Sequence, residues 1–296
     1  MKKYLYLLLL APFVLLAGCI KEDYTDCERC TLTFSYTGDV TQDIFPDHIT
    51  RVSLYVFDQD QRLVLTKQIE QNELKAFQGT KLNLNPGKYK VVGVGNCFDK
   101  TEVVNTSSQD MTQIQFHHPN VPTGGKVEGN DPLYLGQLDL TVPAEYWCEE
   151  DVPFRSSHLK VSYTVEDYLE NGSVGNGLLD LRVKNLLPET DFTNRPHGDK
   201  MTYTPELKIN ATGDHEGAFN IMRHTKDSDV EFELVKKSTG EVLHTLALSD
   251  FLTMYPQIDV SKQEVLIPIV VKFTNLGVTV TIPDWLIVDV DPDYKE

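Results

Sequence analysis

No stretch of this sequence supplies the ~20 consecutive apolar residues that a membrane-spanning helix needs. The longest apolar run, Tyr4 to Leu16, is shorter than that and carries Pro12 within it. Positive charge is also scarce. The 296 residues hold 27 Lys and Arg against 44 Asp and Glu, a formal net charge of −17. That balance argues against nucleic acid as a partner and against charge-driven adhesion to an anionic surface. Catalytic signatures are missing as well. Ser, His and Asp are present, but in no nucleophile-elbow pattern, and no His-Glu-x-x-His occurs. Gly124-Gly125 has no phosphate-loop lysine at the required spacing. Asp289-Val290-Asp291-Pro292-Asp293 lacks the glycine and the closing glutamate of a calcium loop. His117-His118 are adjacent, so on a strand they would point to opposite faces; they read as a solvated loop pair. No enzyme, metal site or cofactor is expected.

What is present begins at the N-terminus. Met1-Lys2-Lys3 is a short basic region, followed by the apolar run and then Leu16-Ala17-Gly18-Cys19. The length and order are those of an export signal. The last four residues resemble the lipobox of bacterial lipoproteins. That resemblance implies cleavage after Gly18 and acylation of Cys19. Two or more acyl chains on one residue hold a protein firmly to a membrane, at about 0.8 kcal/mol per buried methylene. Loss of Lys2 and Lys3 with the signal would take the net charge to −19. Directly after the cysteine, Lys21-Glu22-Asp23 resembles the surface-export signal of Bacteroidota lipoproteins. It implies the outer face of the outer membrane, with outer-membrane lipid as the partner of acylated Cys19.

Four cysteines remain: Cys27, Cys30, Cys97 and Cys148. In an exported protein they allow two disulfides in three connectivities. Cys27-Glu28-Arg29-Cys30 lacks the βαβ context of a redox motif and the second close pair of a zinc ribbon, so structural disulfides are expected, with the pairing open.

From Thr31 onward the hydrophobic period is two. Leu32, Phe34 and Tyr36 alternate with polar residues, as do Val52, Leu54 and Val56. Leu159 to Val165 alternates cleanly, and the 230–234 and 242–248 stretches read as a hairpin across Lys237-Ser238-Thr239-Gly240. Residues 100–131 read as a long polar loop. Ser249–Tyr255 reads as one short helix capped by Ser249 and ended by Pro256. Gly93 and Gly95, within a buried strand, mark close backbone approach or a bulge. Pro268 in an apolar run marks an edge strand or a bulge. Many short strands between turn signals predict an all-β chain of two antiparallel β-sandwich domains. The expected organisation is a signal peptide at 1–18, a lipidated tether at 19–30, and sandwiches at 31–152 and 153–296.

Four pieces then fall in order: the lipobox with the acidic Asp26-Cys27 tether; Arg51-Val52-Ser53-Leu54-Tyr55-Val56-Phe57-Asp58; Leu84-Asn85-Pro86-Gly87-Lys88-Tyr89-Lys90-Val91-Val92 closing on Gly95-Asn96; and Trp285 with Asp289-Val290-Asp291. Together they resemble the FimB-type fimbrial anchoring subunit family of Bacteroidales. Gln263-Glu264-Val265-Leu266-Ile267-Pro268 departs from that pattern, which is often more charged there. The resemblance implies two transthyretin-like sandwiches on a surface lipoprotein that joins the base of a fimbrium. It makes a fimbrial shaft subunit the partner, bound by strand donation, with fimbrial length limited as a result. On that reading Trp285, Leu286, Ile287, Val288, Asp289 and Val290 form the candidate contact strand. The other readings are a surface glycan- or peptide-binding lipoprotein and the adhesive tip of a fimbrium. Tyr146-Trp147 is the only tight aromatic pair available to a glycan platform, and Cys148 beside it points to a packed site.

Overall fold

The computed structural model describes residues 29–286 apart from 107, 109, 110, 171 and 176. The first half runs β1 (Cys30–Ser35), β2 (Val52–Asp58), β3 (Leu63–Ile69), β4 (Gly79–Leu82), β5 (Gly87–Gly95), β6 (Glu102–Val104), β7 (Gln115–His117), β8 (Tyr134–Val142) and β9 (Cys148–Ser156). The second half continues with β10 (His158–Glu166), β11 (Leu179–Leu186), β12 (Glu189–Asp191), β13 (Met201–Tyr203), β14 (Lys208–Ile209), β15 (His215–Met222), β16 (Glu231–Lys236), β17 (Glu241–Ala247), β18 (Leu266–Thr274) and β19 (Gly277–Thr281). Three short helices intervene: α1 (Phe45–His48), α2 (Gln71–Ala76) and α3 (Leu248–Met254). The chain is all-β and sandwich-like, as its period of two predicts.

In the first half the strands are ordered β3-β2-β5-β8-β9-β1-β4. β9 belongs to both layers. Its C-terminal portion pairs with β8, at Tyr134↔Ser156 to Gly136↔Phe154, and its N-terminal portion pairs with β1. A strand that crosses between layers makes a sandwich corner. Between the layers lie Leu32, Phe34, Val52, Leu54, Val91 and Phe154, all buried. Each contributes about 1.5–3 kcal/mol relative to exposure. Gly93 and Gly136 face each other on β5 and β8. A Cβ on Gly93 would lie 2.6 Å from Phe154 Cζ, and one on Gly136 would lie 2.9 Å from Val152 Cγ1. The close approach expected of Gly93 is therefore made by a phenyl ring.

The second half packs a five-stranded sheet, β14-β15-β10-β18-β19, on a four-stranded one, β13-β11-β16-β17. Tyr163 and Phe232 stack between them at 6.0 Å. The division expected at 152/153 falls within β9, which continues in the first sheet to Ser156. Only Ser157 separates β9 from β10.

Several local expectations change. Each half contains one parallel pair, β1 with β9 and β10 with β18, amid antiparallel pairing. The stretch read as a loop carries β6 and β7, which with β12 form a small sheet. His117 is buried in that sheet, and its Nδ1 lies 3.0 Å from the His118 carbonyl, so the pair is not a solvated loop. α3 begins at Leu248 after Ala247, so Ser249 lies inside the first turn and its hydroxyl caps nothing. Pro268 sits on an interior strand. β19 pairs with β18 only from Val270 onward, so the side of β18 at Pro268 away from β10 needs no donor.

Candidate functional site

Three regions bear on function: the end where the tether enters, the joint between the sandwiches, and the C-terminal edge.

Residues 1–28 lie outside the described residues, and with them Cys19, Lys21, Glu22, Asp23 and Cys27. The first described element, β1, lies inside a sheet, between β9 and β4. Cys30 on β1 stands directly opposite Cys148 on β9, and both are buried. The two thiols are in hydrogen-bond contact. Burial, then that contact, raises the Cys30 thiol far above its ordinary range. Three and five residues on, Thr33 donates to Asp151 Oδ1 at 3.0 Å and Ser35 donates to Oδ2 of the same carboxylate. Cys97 is elsewhere, half-buried, with Sγ 3.7 Å from the Thr101 carbonyl; burial pushes its thiol up to about 11. All three described cysteines are free thiols.

The joint centres on Glu264, just before β18. Its carboxylate accepts from the Tyr36 hydroxyl and, at 3.2 Å, from the Tyr134 hydroxyl, and His48 Nδ1 lies 3.5 Å away. All three partners belong to the first sandwich. Burial, together with the neighbouring Glu264 charge, pushes both phenols well above their usual range. In return, Asp39 accepts from the backbone N–H groups of Gln263 (2.7 Å) and Glu264 (3.1 Å). Gln263 Oε1 accepts from Ser156 N at 2.9 Å. Asn96 closes the arrangement. Its φ of 57° turns the chain after β5, and its side chain donates to His48 O at 2.7 Å and accepts from Thr50 N at 2.9 Å. A second contact is apolar: Phe192 of the second half packs among Tyr55, Phe57 and Phe116 of the first. The sequence pattern marks Gln263-Glu264 and Gly95-Asn96 separately, but not that His48 links them, bonded to Asn96 through its carbonyl and near Glu264 through its ring. The only signal is an acid placed directly before a buried strand.

At the C-terminal edge, β19 is the last strand of its sheet, and its outer side has no partner strand among the described residues. The expected final strand does not begin at Trp285. Asp284–Leu286 is a 3-10 turn, with Leu286 N donating to Pro283 O at 2.9 Å. Pro283 fixes its own φ and favours a turn over extended pairing. Leu286 packs on the core, whereas Trp285 is 70% exposed. Ile287, Val288, Asp289 and Val290 lie outside the described residues. Tyr146 and Trp147, expected to be packed, are 70% and 60% exposed, because Cys148 faces inward while the residues before it form the loop. Among the described residues no group of three or more His, Cys, Asp or Glu is placed to hold a metal ion.

The sequence model of the fimbrillin-A associated anchor proteins Mfa1 and Mfa2 matches residues 24–291. The chain belongs to this family. Solved structures agree in fold. The fimbrial anchor protein Mfa2 from Porphyromonas gingivalis is 14% identical, with 85% of this chain and 94% of that one covered at a TM-score of 0.63. A candidate adhesin from Bacteroides ovatus is 19% identical over 87% and 94%, at 0.70. A candidate polysaccharide-binding protein from Bacteroides thetaiotaomicron is 14% identical over 86% and 95%, at 0.69. No curated protein matches the chain in sequence. The resemblance read from the four sequence pieces is thus borne out at the level of the family: this is a protein of the fimbrillin-associated anchor family. Arg51–Asp58 and Leu84–Val92, the two most telling pieces of that resemblance, fall on β2 and on the entry into β5, which pair antiparallel at the centre of the first sandwich.

Proposed function

We propose that the chain is an outer-membrane surface lipoprotein that holds a fimbrium at its base. Cys19 carries the lipid, and Lys21-Glu22-Asp23 direct the protein to the outer face. The body joins a fimbrial shaft subunit by strand donation, and occupying the end of the polymer limits its length. The observation that carries the reading is the family match, which begins at residue 24, directly after the lipid and export signals. The open edge of β19 with exposed Trp285 beside it supports the C-terminal end as the contact, since an unpaired edge can receive a strand. Residues 285–290 remain the candidate contact segment. A buried Cys30–Cys148 disulfide would fasten the tether to the first sandwich, with Cys97 lying elsewhere.

The test is a count of fimbriae on cells and in the medium by electron microscopy. Cells lacking the protein, and cells carrying Cys19→Ala, should shed long fimbriae. Normal, attached fimbriae in both would remove the anchor reading. Val288→Asp with Val290→Asp should release fimbriae while the anchor stays folded and membrane-bound; full retention would move the contact elsewhere. The second reading, a surface glycan- or peptide-binding lipoprotein, is favoured by the exposure of Tyr146 and Trp147.

A further inference from the structure

A cleft of about 910 Å³ opens between the two sandwiches, within the ~300–1,000 Å³ typical of ligand sites. Its charge runs against the composition of the chain. Three of the seven arginines, Arg155, Arg195 and Arg223, line it together with Lys226, and Asp259 is the only carboxylate in the lining. Arg223 is a bracket. Its guanidinium donates to the carbonyls of Val260 (2.7 Å), Gln263 (3.3 Å), His158 (3.5 Å) and Lys262, so these bonds hold the wall without cancelling its charge. The Asp259 carboxylate is occupied by Ser261, accepting from its N–H at 2.9 Å and its hydroxyl at 2.6 Å.

Arg155, Arg195 and Lys226 are exposed, and the side chains of all three lack any hydrogen bond or ion pair among the described residues. By contrast, Arg51, Lys90, Lys184 and Lys236 are each paired with a carboxylate. The two free arginines are held close. Asn194 Nδ2 donates to the Ser156 carbonyl at 3.0 Å, and Arg195 and Arg155 each stand one residue from that bond.

A second observation concerns the wall of the same cleft. His224 lines it, is only 8% exposed, and its Nε2 is buried with no hydrogen-bond partner. Buried polar atoms are nearly always paired, and this one lies unpaired within the wall of the cleft. Burial pushes this imidazole down to about 4, so at neutral pH it is uncharged and able to donate or accept a single bond. The rest of the lining includes aliphatic Leu135, Leu252, Ile258 and Val260, and no aromatic ring. A sugar ring would find no face to stack on there. An aliphatic peptide bearing carboxylates finds both of its needs met, because a guanidinium fork matches a carboxylate in two-point geometry.

We propose that this cleft binds an acidic peptide segment of a partner, with its carboxylates on Arg155, Arg195 and Lys226 and its aliphatic side chains on the Leu252–Val260 wall. The proposal stands apart from fimbrial anchoring, which the fimbria count tests separately.

The test uses the purified full chain in detergent. One probe is a pool of blocked hexapeptides alternating Glu or Asp with Leu, Ile or Val. The matched pool carries Gln or Asn in place of the acids, and oligogalacturonate is the third probe. The acidic pool should bind saturably, more weakly at high salt, and should shift the His224 ring resonances. Arg155→Ala with Arg195→Ala should lower that affinity by about tenfold or more. Both side chains are exposed, and an unchanged urea midpoint confirms that the variant folds. Equal binding of the two pools, no loss in the double variant, or no saturable binding at millimolar peptide overturns the proposal. Preferential binding of oligogalacturonate overturns the peptide occupant and reassigns the cleft to acidic glycans.

Discussion

Three residues carry effects that single substitutions should expose. Gly93 is the first. A methyl group there meets the Phe154 ring at 2.6 Å, inside a packed core where neither strand can yield. Gly93→Ala should cost about 1–3 kcal/mol, read as a lower urea midpoint, and adding Phe154→Leu should recover some of it. Glu264 is the second. Glu264→Ala strips the acceptor from Tyr36 and Tyr134 at the joint and should cost about 2–3 kcal/mol, whereas Glu264→Gln, which keeps an acceptor oxygen, should cost less. His224 is the third. Its folded pKa is depressed from 6.5 to about 4, so the folded state favours the neutral ring. The stability this contributes is present above pH 6.5 and is lost as pH falls towards 4, up to ~3 kcal/mol. Urea unfolding of wild type and His224→Gln at pH 7 and pH 4.5 should show a gap that opens only in favour of the variant at the lower pH.

At the scale of elements, legibility followed the physics of each pattern. β1, β10 and β16 were readable because one face is buried and the other wetter, which writes itself as alternation, whereas β2 alternates only at Val52–Val56 and buries Tyr55 and Phe57 on its other face as well. β6 and β7 were not readable, since three-residue strands carry too little period and the pairing of β7 with β12 is set by distant chain. The turn at Pro283–Leu286 was overridden by the apolar look of the residues after it. The candidate cysteines were legible as a set, but their geometry came from tertiary pairing: Cys30 and Cys148 are opposed only because β9 runs parallel to β1. The cationic cleft was not legible at all, because its arginines come from β9 and two separate loops. The pairing leads to a prediction. Protein exported through an oxidising compartment should show a Cys30–Cys148 linked peptide by mass spectrometry without reduction. Cys30→Ser with Cys148→Ser should then lower stability by about 2–4 kcal/mol. A free-thiol count that includes both cysteines would refute the staple.

At the scale of the whole molecule, the two sandwiches are fastened to each other by a polar joint and a shared aromatic cluster, with Ser157 as the sole residue between β9 and β10. The parallel pairing of β1 with β9 then has a mechanical consequence. On the proposed lipid anchoring, a pull from the N-terminal side would enter β1 at Cys30, and a pull from the second sandwich would enter β9 at Ser156, the opposite end of the pair. The two strands are drawn past each other along their length, so the six registered pairs from Cys30↔Cys148 to Ser35↔Pro153 resist together and cannot break in succession. In single-molecule stretching of the Cys30→Ser, Cys148→Ser variant, in which no staple short-circuits the pair, handles at residues 29 and 286 should meet a markedly higher rupture force than handles at 29 and 147, which would peel the same strands from one end. If the chain moors a filament as proposed, flowing liquid would load that mooring in shear, the direction in which a β-ladder holds best.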